Sequence, residues 1–158
     1  MTSVRRAAFR VSIPVLFGYL PLGVAFGLLF NALGYPWYYA TLSGLVIFAG
    51  AAQFLSVGLL AAHAGLMSVF AATLFLNLRH IFYGFSFLHR FPERGWRRYY
   101  LIFTLTDETY SVLTASRRDG REEDERYCLW VAALNHSYWV AGCTVGGLLG
   151  GAVHVHIS

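Results

Sequence analysis

From Val11 to Leu78 the chain carries no Asp, Glu, Lys or Arg, and the first charge to interrupt it is Arg79, within Leu76-Asn77-Leu78-Arg79-His80. A water-soluble domain of this size has too much surface to leave so long a stretch uncharged, whereas a bilayer needs about 20 apolar residues per helical span. The pattern predicts an all-α integral membrane protein with about five hydrophobic helical segments, some of them broken by proline or glycine or re-entrant.

The first run, Val11 to Leu33, contains Pro14 and Pro21 among Gly18, Gly23 and Gly27. Proline removes a backbone donor, so a kink or break is expected near Gly18-Tyr19-Leu20-Pro21. Gly34-Tyr35-Pro36 then reads as a turn. The runs Tyr38 to Ala62 and Leu66 to Leu88 are joined by His63-Ala64-Gly65 and predict a tight helical hairpin. His89 to Arg98 is an aromatic and basic border, with Trp96 set to lie at a membrane interface. Tyr99 to Ser116 is short for a span and holds Asp107-Glu108 near its centre. Arg117 to Arg126 is a mixed-charge loop, and Tyr127 to Ser158 is uncharged throughout.

Three full spans before the border would place Arg5, Arg6 and Arg10 opposite Arg90 to Arg98, while the positive-inside tendency wants both tracts in the cytoplasm. One element is therefore expected to be irregular: the proline-bearing first run or the short fourth one, re-entrant or built from half-helices.

Composition narrows the class further. With 158 residues, 57% hydrophobic and 13% charged, the chain reads as a single membrane domain over 1–158 with no room for a cytosolic module. The net charge of +4 comes from arginine alone, in tracts at the edges of apolar runs, which points to lipid headgroups and not to nucleic acid. The basic start followed by a long apolar run without a cleavage site reads as a retained helix. Cys128 and Cys143 have no metal-ligand spacing and are not expected to form a disulfide. His154 and His156 lack a nearby acid or thiol and make a poor zinc or copper site. No nucleotide-binding glycine loop or nucleophile turn occurs, so neither a cofactor nor an enzyme activity is expected.

Four places carry candidate chemistry. Gly142, Gly146 and Gly150, with Gly147 and Gly151, leave one helix face nearly bare, either for internal packing or for a partner subunit. Gln53, in Ala49-Gly50-Ala51-Ala52-Gln53-Phe54, must find hydrogen bonds in an apolar interior, either across a helix interface or to substrate. Arg79 lies deep in its run; it either snorkels to headgroups, clamps a carboxylate, or pairs with Asp107 or Glu108. Adjacent helical residues point about 100° apart, so the two acids cannot both face one partner. Asn135-His136 is less informative.

In Gly18-Tyr19-Leu20-Pro21-Leu22-Gly23-Val24-Ala25-Phe26-Gly27, Ala49-Gly50-Ala51-Ala52-Gln53-Phe54, Asn77-Leu78-Arg79-His80 and Thr106-Asp107-Glu108-Thr109-Tyr110 the chain resembles the AzlC family, large subunits of bacterial branched-chain amino acid exporters. The resemblance implies a multi-pass permease of the bacterial plasma membrane that works with a small hydrophobic AzlD-type subunit. It also implies export of valine, leucine, isoleucine and often methionine, driven by the proton motive force. Gln53, Asn77, Arg79, Asp107 and Glu108 are then the expected substrate contacts. Typical members continue with further apolar spans where this sequence stops at Ser158, so a fragment or a short member is expected, with the missing helices or the partner covering the Gly142 to Gly151 face. The competing readings are a membrane scaffold subunit without transport and, last, an intramembrane enzyme.

Overall fold

A computed structural model describes residues 3–87, 95–116 and 124–157, and within them every side chain except those at 79, 83–84, 86–87 and 153–157. Among the described residues the chain forms helices α1 (Ser3–Ala32), α2 (Trp37–Val46), α3 (Gly50–Ala61), α4 (Leu66–Phe87), α5 (Trp96–Phe103), α6 (Asp107–Ala115) and α7 (Glu125–Ile157), and no strand. They fall into two compact units, one made of Met1–Phe17 with Arg79–Ser137 and the other of Gly18–Leu78 with Tyr138–Ser158.

The break expected in the first run does not occur. α1 continues through both Pro14 and Pro21. In the second unit its Gly23 and Gly27 lie directly on the backbone of α7: a Cβ at Gly23 would stand 2.9 Å from the Cα of Gly142. Such close backbone packing outweighs the hydrogen bond and the sterics lost at an internal proline, about 3 kcal/mol.

The breaks fall in the second and fourth runs instead, and two runs expected as single segments each fold as two helices. In the second unit α2 stops at Val46, and Phe48, at φ 43°, sits in the left-handed region that a bulky side chain rarely adopts. α2 follows α7 backwards: a Cβ on Gly147 would meet Trp37, the Thr41 hydroxyl donates to that of Thr144 at 2.9 Å, and Gly44 abuts Cys143. The turn is reached beside Trp139, whose ring faces Gly50. α3 then runs back, with Phe54 edge-on to Phe26, until Leu60 and His63 share a cavity of about 670 Å³ with Leu33 and Tyr35 from the end of α1. The segment doubles back: it leaves from one end of the unit and returns to it.

The first unit repeats this design. α5 ascends α7 from Arg97, bound to Glu125 at 2.9 Å, to Phe103, whose ring meets that of His136 at 5.6 Å. α6 descends from Thr109, bonded to Asn135, to Ser116, whose hydroxyl lies 2.7 Å from that of Tyr127. Threonines make this break. Thr104 Oγ1 donates back to the Tyr100 carbonyl at 2.7 Å, and Thr106 Oγ1 accepts the Thr109 amide at 3.3 Å as the N-cap of α6. Hydroxyls of this kind compete with the helical ladder and favour caps. Leu101, Leu105, Leu113, Tyr127 and Val131 close the core around the hairpin.

Besides an apolar core, the chain buries polar side chains and leaves large apolar ones exposed. Gln53, Thr104, Thr109 and Asn135 are buried, while α4 exposes Leu66 (89%), Phe75 (72%) and Phe82 (71%). Contiguous exposed apolar surface of this kind marks contact with lipid or protein. Among the described residues α1 is long and apolar enough by itself to cross a bilayer, and Gly50–Ala61 and Leu66–Leu78 are apolar but shorter.

Candidate functional site

The re-entrant turn of the second unit is held by side chains. Gln53 is fully buried, donates from Nε2 to Ser43 Oγ at 2.9 Å, and accepts the Trp139 indole N–H on Oε1 at 2.8 Å. This joins both arms of the hairpin to α7 and leaves Gln53 one amide hydrogen beyond those bonds. Tyr19 wedges between the elements, with its ring 5.3 Å from Trp139 and 6.2 Å from Phe48, both edge-on. The sequence pointed to Gln53; it gave no reason to choose Ser43 or Trp139 as its partners.

The turn of the first unit is a polar cluster. Thr104, Thr106, Thr109 and Asn135 are all buried, and Asn135 Nδ2 donates to Thr109 Oγ1 at 3.1 Å. Asp107 and Glu108 occupy the first turn of α6, where negative charge is favoured by the helix dipole. Asp107 is half-buried and Glu108 exposed, as their 100° separation requires. Asn77 is half-buried on α4. The backbone at 79 is helical, but the side chain of Arg79, and with it the expected meeting with Asp107 or Glu108, lies outside the described residues. The side chains of His154 and His156 lie outside them as well. Cys128 and Cys143 are both buried free thiols.

At the base of the first unit the arginine tracts come together. Arg5 stacks over Trp130 at 4.7 Å, in a groove shared with Arg6 and Arg10, and Trp130 also lines a second groove with Trp96, Arg97 and Arg126. Arg5, Arg6 and Arg10 of the first tract and Arg97 of the second thus line grooves on one tryptophan of the first unit.

The bare glycine face of α7 is occupied by the chain itself. A Cβ at Gly142 would lie 2.8 Å from the Leu20 carbonyl oxygen, one at Gly146 would strike that of Val24, and one at Gly150 would meet Asn31. Internal packing, one of the two uses expected for this face, accounts for Gly142, Gly146 and Gly150.

The four motifs thus sit at structural junctions: the α1–α7 contact, the first re-entrant turn, the middle of α4 and the second re-entrant turn. The profile of the AzlC protein family matches residues 14–153. The chain belongs to the AzlC family. It is 35% identical to the branched-chain amino acid transport protein AzlC of Bacillus subtilis over 94% of its own length and 58% of that protein's. An uncharacterized membrane protein of Helicobacter pylori is 40% identical over 90% of this chain and 63% of its own. The inner membrane protein YgaZ of Escherichia coli is 31% identical over 88% and 58%. The chain thus spans about three fifths of the length of these relatives. No solved structure matches it. AzlC is a transport-associated family and not an enzyme family.

Proposed function

We propose that this chain is the large subunit, or the greater part of it, of a secondary exporter of branched-chain amino acids in a bacterial plasma membrane. The observation that carries the reading is a family member with two helix hairpins interrupted by non-helical turns; we read them as re-entrant, a construction that transporters use to bring backbone dipoles and polar side chains into the bilayer. The relative named for branched-chain amino acid transport supports the substrate class. The convergence of Arg5, Arg6, Arg10 and Arg97 on grooves that share Trp130 supports a multi-pass topology with that end cytoplasmic.

A zwitterion needs both charges met inside the membrane. In the first unit Arg79 clamps the substrate carboxylate, and Asp107 or Glu108 meets its ammonium while the other acid carries a proton. In the second, Gln53 and Asn77 are proposed as polar contacts. Apolar residues, Phe82 and Leu105 in the first unit and Phe54 in the second, are proposed to receive aliphatic side chains, and because one methylene discriminates only modestly, valine, leucine, isoleucine and methionine would all be carried. A small hydrophobic AzlD-type subunit completes the permease, and protons drive it.

Counterflow of labelled valine in vesicles containing this chain, with and without a small subunit and at imposed pH gradients, tests the reading. Flux that responds to the gradient, disappears in Arg79→Ala and loses its proton dependence in Asp107→Asn or Glu108→Gln is expected. Absence of flux with the partner present would favour a scaffold, and unchanged transport in both acid variants would remove the proton role.

A further inference from the structure

The groove between the starts of α1 and α7 in the first unit, about 410 Å³, sets Arg5, Arg6 and Arg10 against Phe9, Trp130 and Leu134. The order of these residues divides it into two parts. Arg5 and Trp130 stand at the outer end, and Phe9 and Leu134 follow four residues later, about 6 Å further along each helix. Arg6 and Arg10 repeat that spacing on α1. A cationic head thus continues into an apolar stem, and beyond it α1 goes on exposing apolar side chains, with Phe17 at 74%.

The charge of the head is not balanced within the unit. Among its described acids, Glu125 pairs with Arg97, Asp124 accepts the backbone amides of Arg126 and Tyr127, and Asp107 and Glu108 belong to the first turn of α6. Among the described residues no ion pair engages Arg5, Arg6 or Arg10. Trp130 holds the Arg5 guanidinium over its ring at 4.7 Å, an attraction to the π face that leaves N–H donors available for an anion. The neighbouring groove of Trp130 differs, because its Arg97 is already neutralised by Glu125.

Guanidinium forks match phosphate oxygens in shape and charge. A free phosphate or an acidic peptide would use the head and leave Phe9 and Leu134 bare. An anionic phospholipid satisfies both parts, and basic clefts between helices at a cytoplasmic interface bind such head groups. We propose that this groove is a discrete site for one anionic glycerophospholipid, with its phosphodiester on Arg5, Arg6 and Arg10 and an acyl chain along Phe9 and Leu134. The site does not depend on what the protein transports.

Thermal unfolding and native mass spectrometry of the full chain in detergent test it, with four titrants: phosphatidylglycerol, phosphatidylcholine of the same acyl chains, inorganic phosphate and polyglutamate. Saturable stabilisation by phosphatidylglycerol, with one lipid retained per chain, is expected. Arg5→Gln should raise the midpoint about fivefold, and the triple variant with Arg6→Gln and Arg10→Gln about a hundredfold. Trp130→Leu, which removes the ring under Arg5, should weaken binding as well. Arg126→Gln takes the same charge from the neighbouring groove and should leave the midpoint within about twofold, because screening limits a charge outside the site. All four arginines are exposed, so these variants are expected to fold. Equal losses in Arg5→Gln and Arg126→Gln would reveal diffuse attraction to a negative surface and overturn the site. An equal response to phosphatidylcholine, or a response to phosphate or polyglutamate as strong as that to phosphatidylglycerol, would overturn the lipid.

Discussion

Trp139 of α7 donates its indole N–H to Oε1 of Gln53 in α3 across 2.8 Å, and this bond fixes where the α2–α3 segment turns back. The partners stand 86 positions apart in sequence and are both buried. Each satisfies a group that would otherwise be stranded in an apolar interior.

Trp139→Phe should therefore cost more than its small change in volume suggests, about 1–3 kcal/mol, because Gln53 Oε1 loses its donor while remaining buried. In the double variant with Gln53→Leu part of that cost should return, since the stranded oxygen is gone as well. Thermal unfolding in detergent of the four proteins of the cycle measures the coupling, and strict additivity would refute the bond's importance.

Phe48 holds a left-handed backbone at φ 43° while its ring packs on Tyr19. Truncation to alanine loses the ring and keeps the backbone strain; truncation to glycine loses the ring and releases it. Phe48→Gly should consequently be the milder change, by about 1–2 kcal/mol, in contrast to the usual ranking of alanine and glycine near helices. The same melting assay, run on both variants, reads the difference.

The glycines of the chain should separate into two groups. Gly142→Ala or Gly146→Ala drives a methyl into the backbone of α1 and is expected to destabilise by about 1–3 kcal/mol or more, since backbone cannot step aside. Gly18→Ala and Gly58→Ala, with nothing within 4 Å, should be neutral or gain up to about 1 kcal/mol from helix propensity. Equal behaviour of the two groups would contradict the close α1–α7 approach.

In a background with Cys128 and Cys143 replaced, cysteines introduced at Arg6 and at Trp96 should label with an impermeant maleimide from the same side of the membrane. Cysteines at Tyr35 and His63 should share the other side, because the return of α3 brings them together at the far end of α1, a helix of 30 residues or about 45 Å. Labelling of Arg6 and Trp96 from opposite faces would show that the second run crosses the bilayer.

The helical membrane class was legible in the uncharged stretch before Arg79, because desolvation of charge is so costly that its absence over many turns has few other causes. The irregular element was legible only as a conflict of charges. Local rules place it at Pro14 and Pro21 or in the short fourth run, which does divide into α5 and α6, and give no reason to place it in the second. Its break depends on Phe48 accepting a strained backbone and on Trp139 reaching Gln53, both consequences of tertiary packing that no local propensity encodes. The glycine spacing on α7 announced a close helix neighbour but not that α1, at the other end of the chain, would be it.

A segment that dips in and comes out where it entered adds length without changing sides. Under the proposed topology the elements after residue 61 would keep the orientation set by the first ten residues, and mutations that straightened α2 and α3 into one continuous rod would invert them.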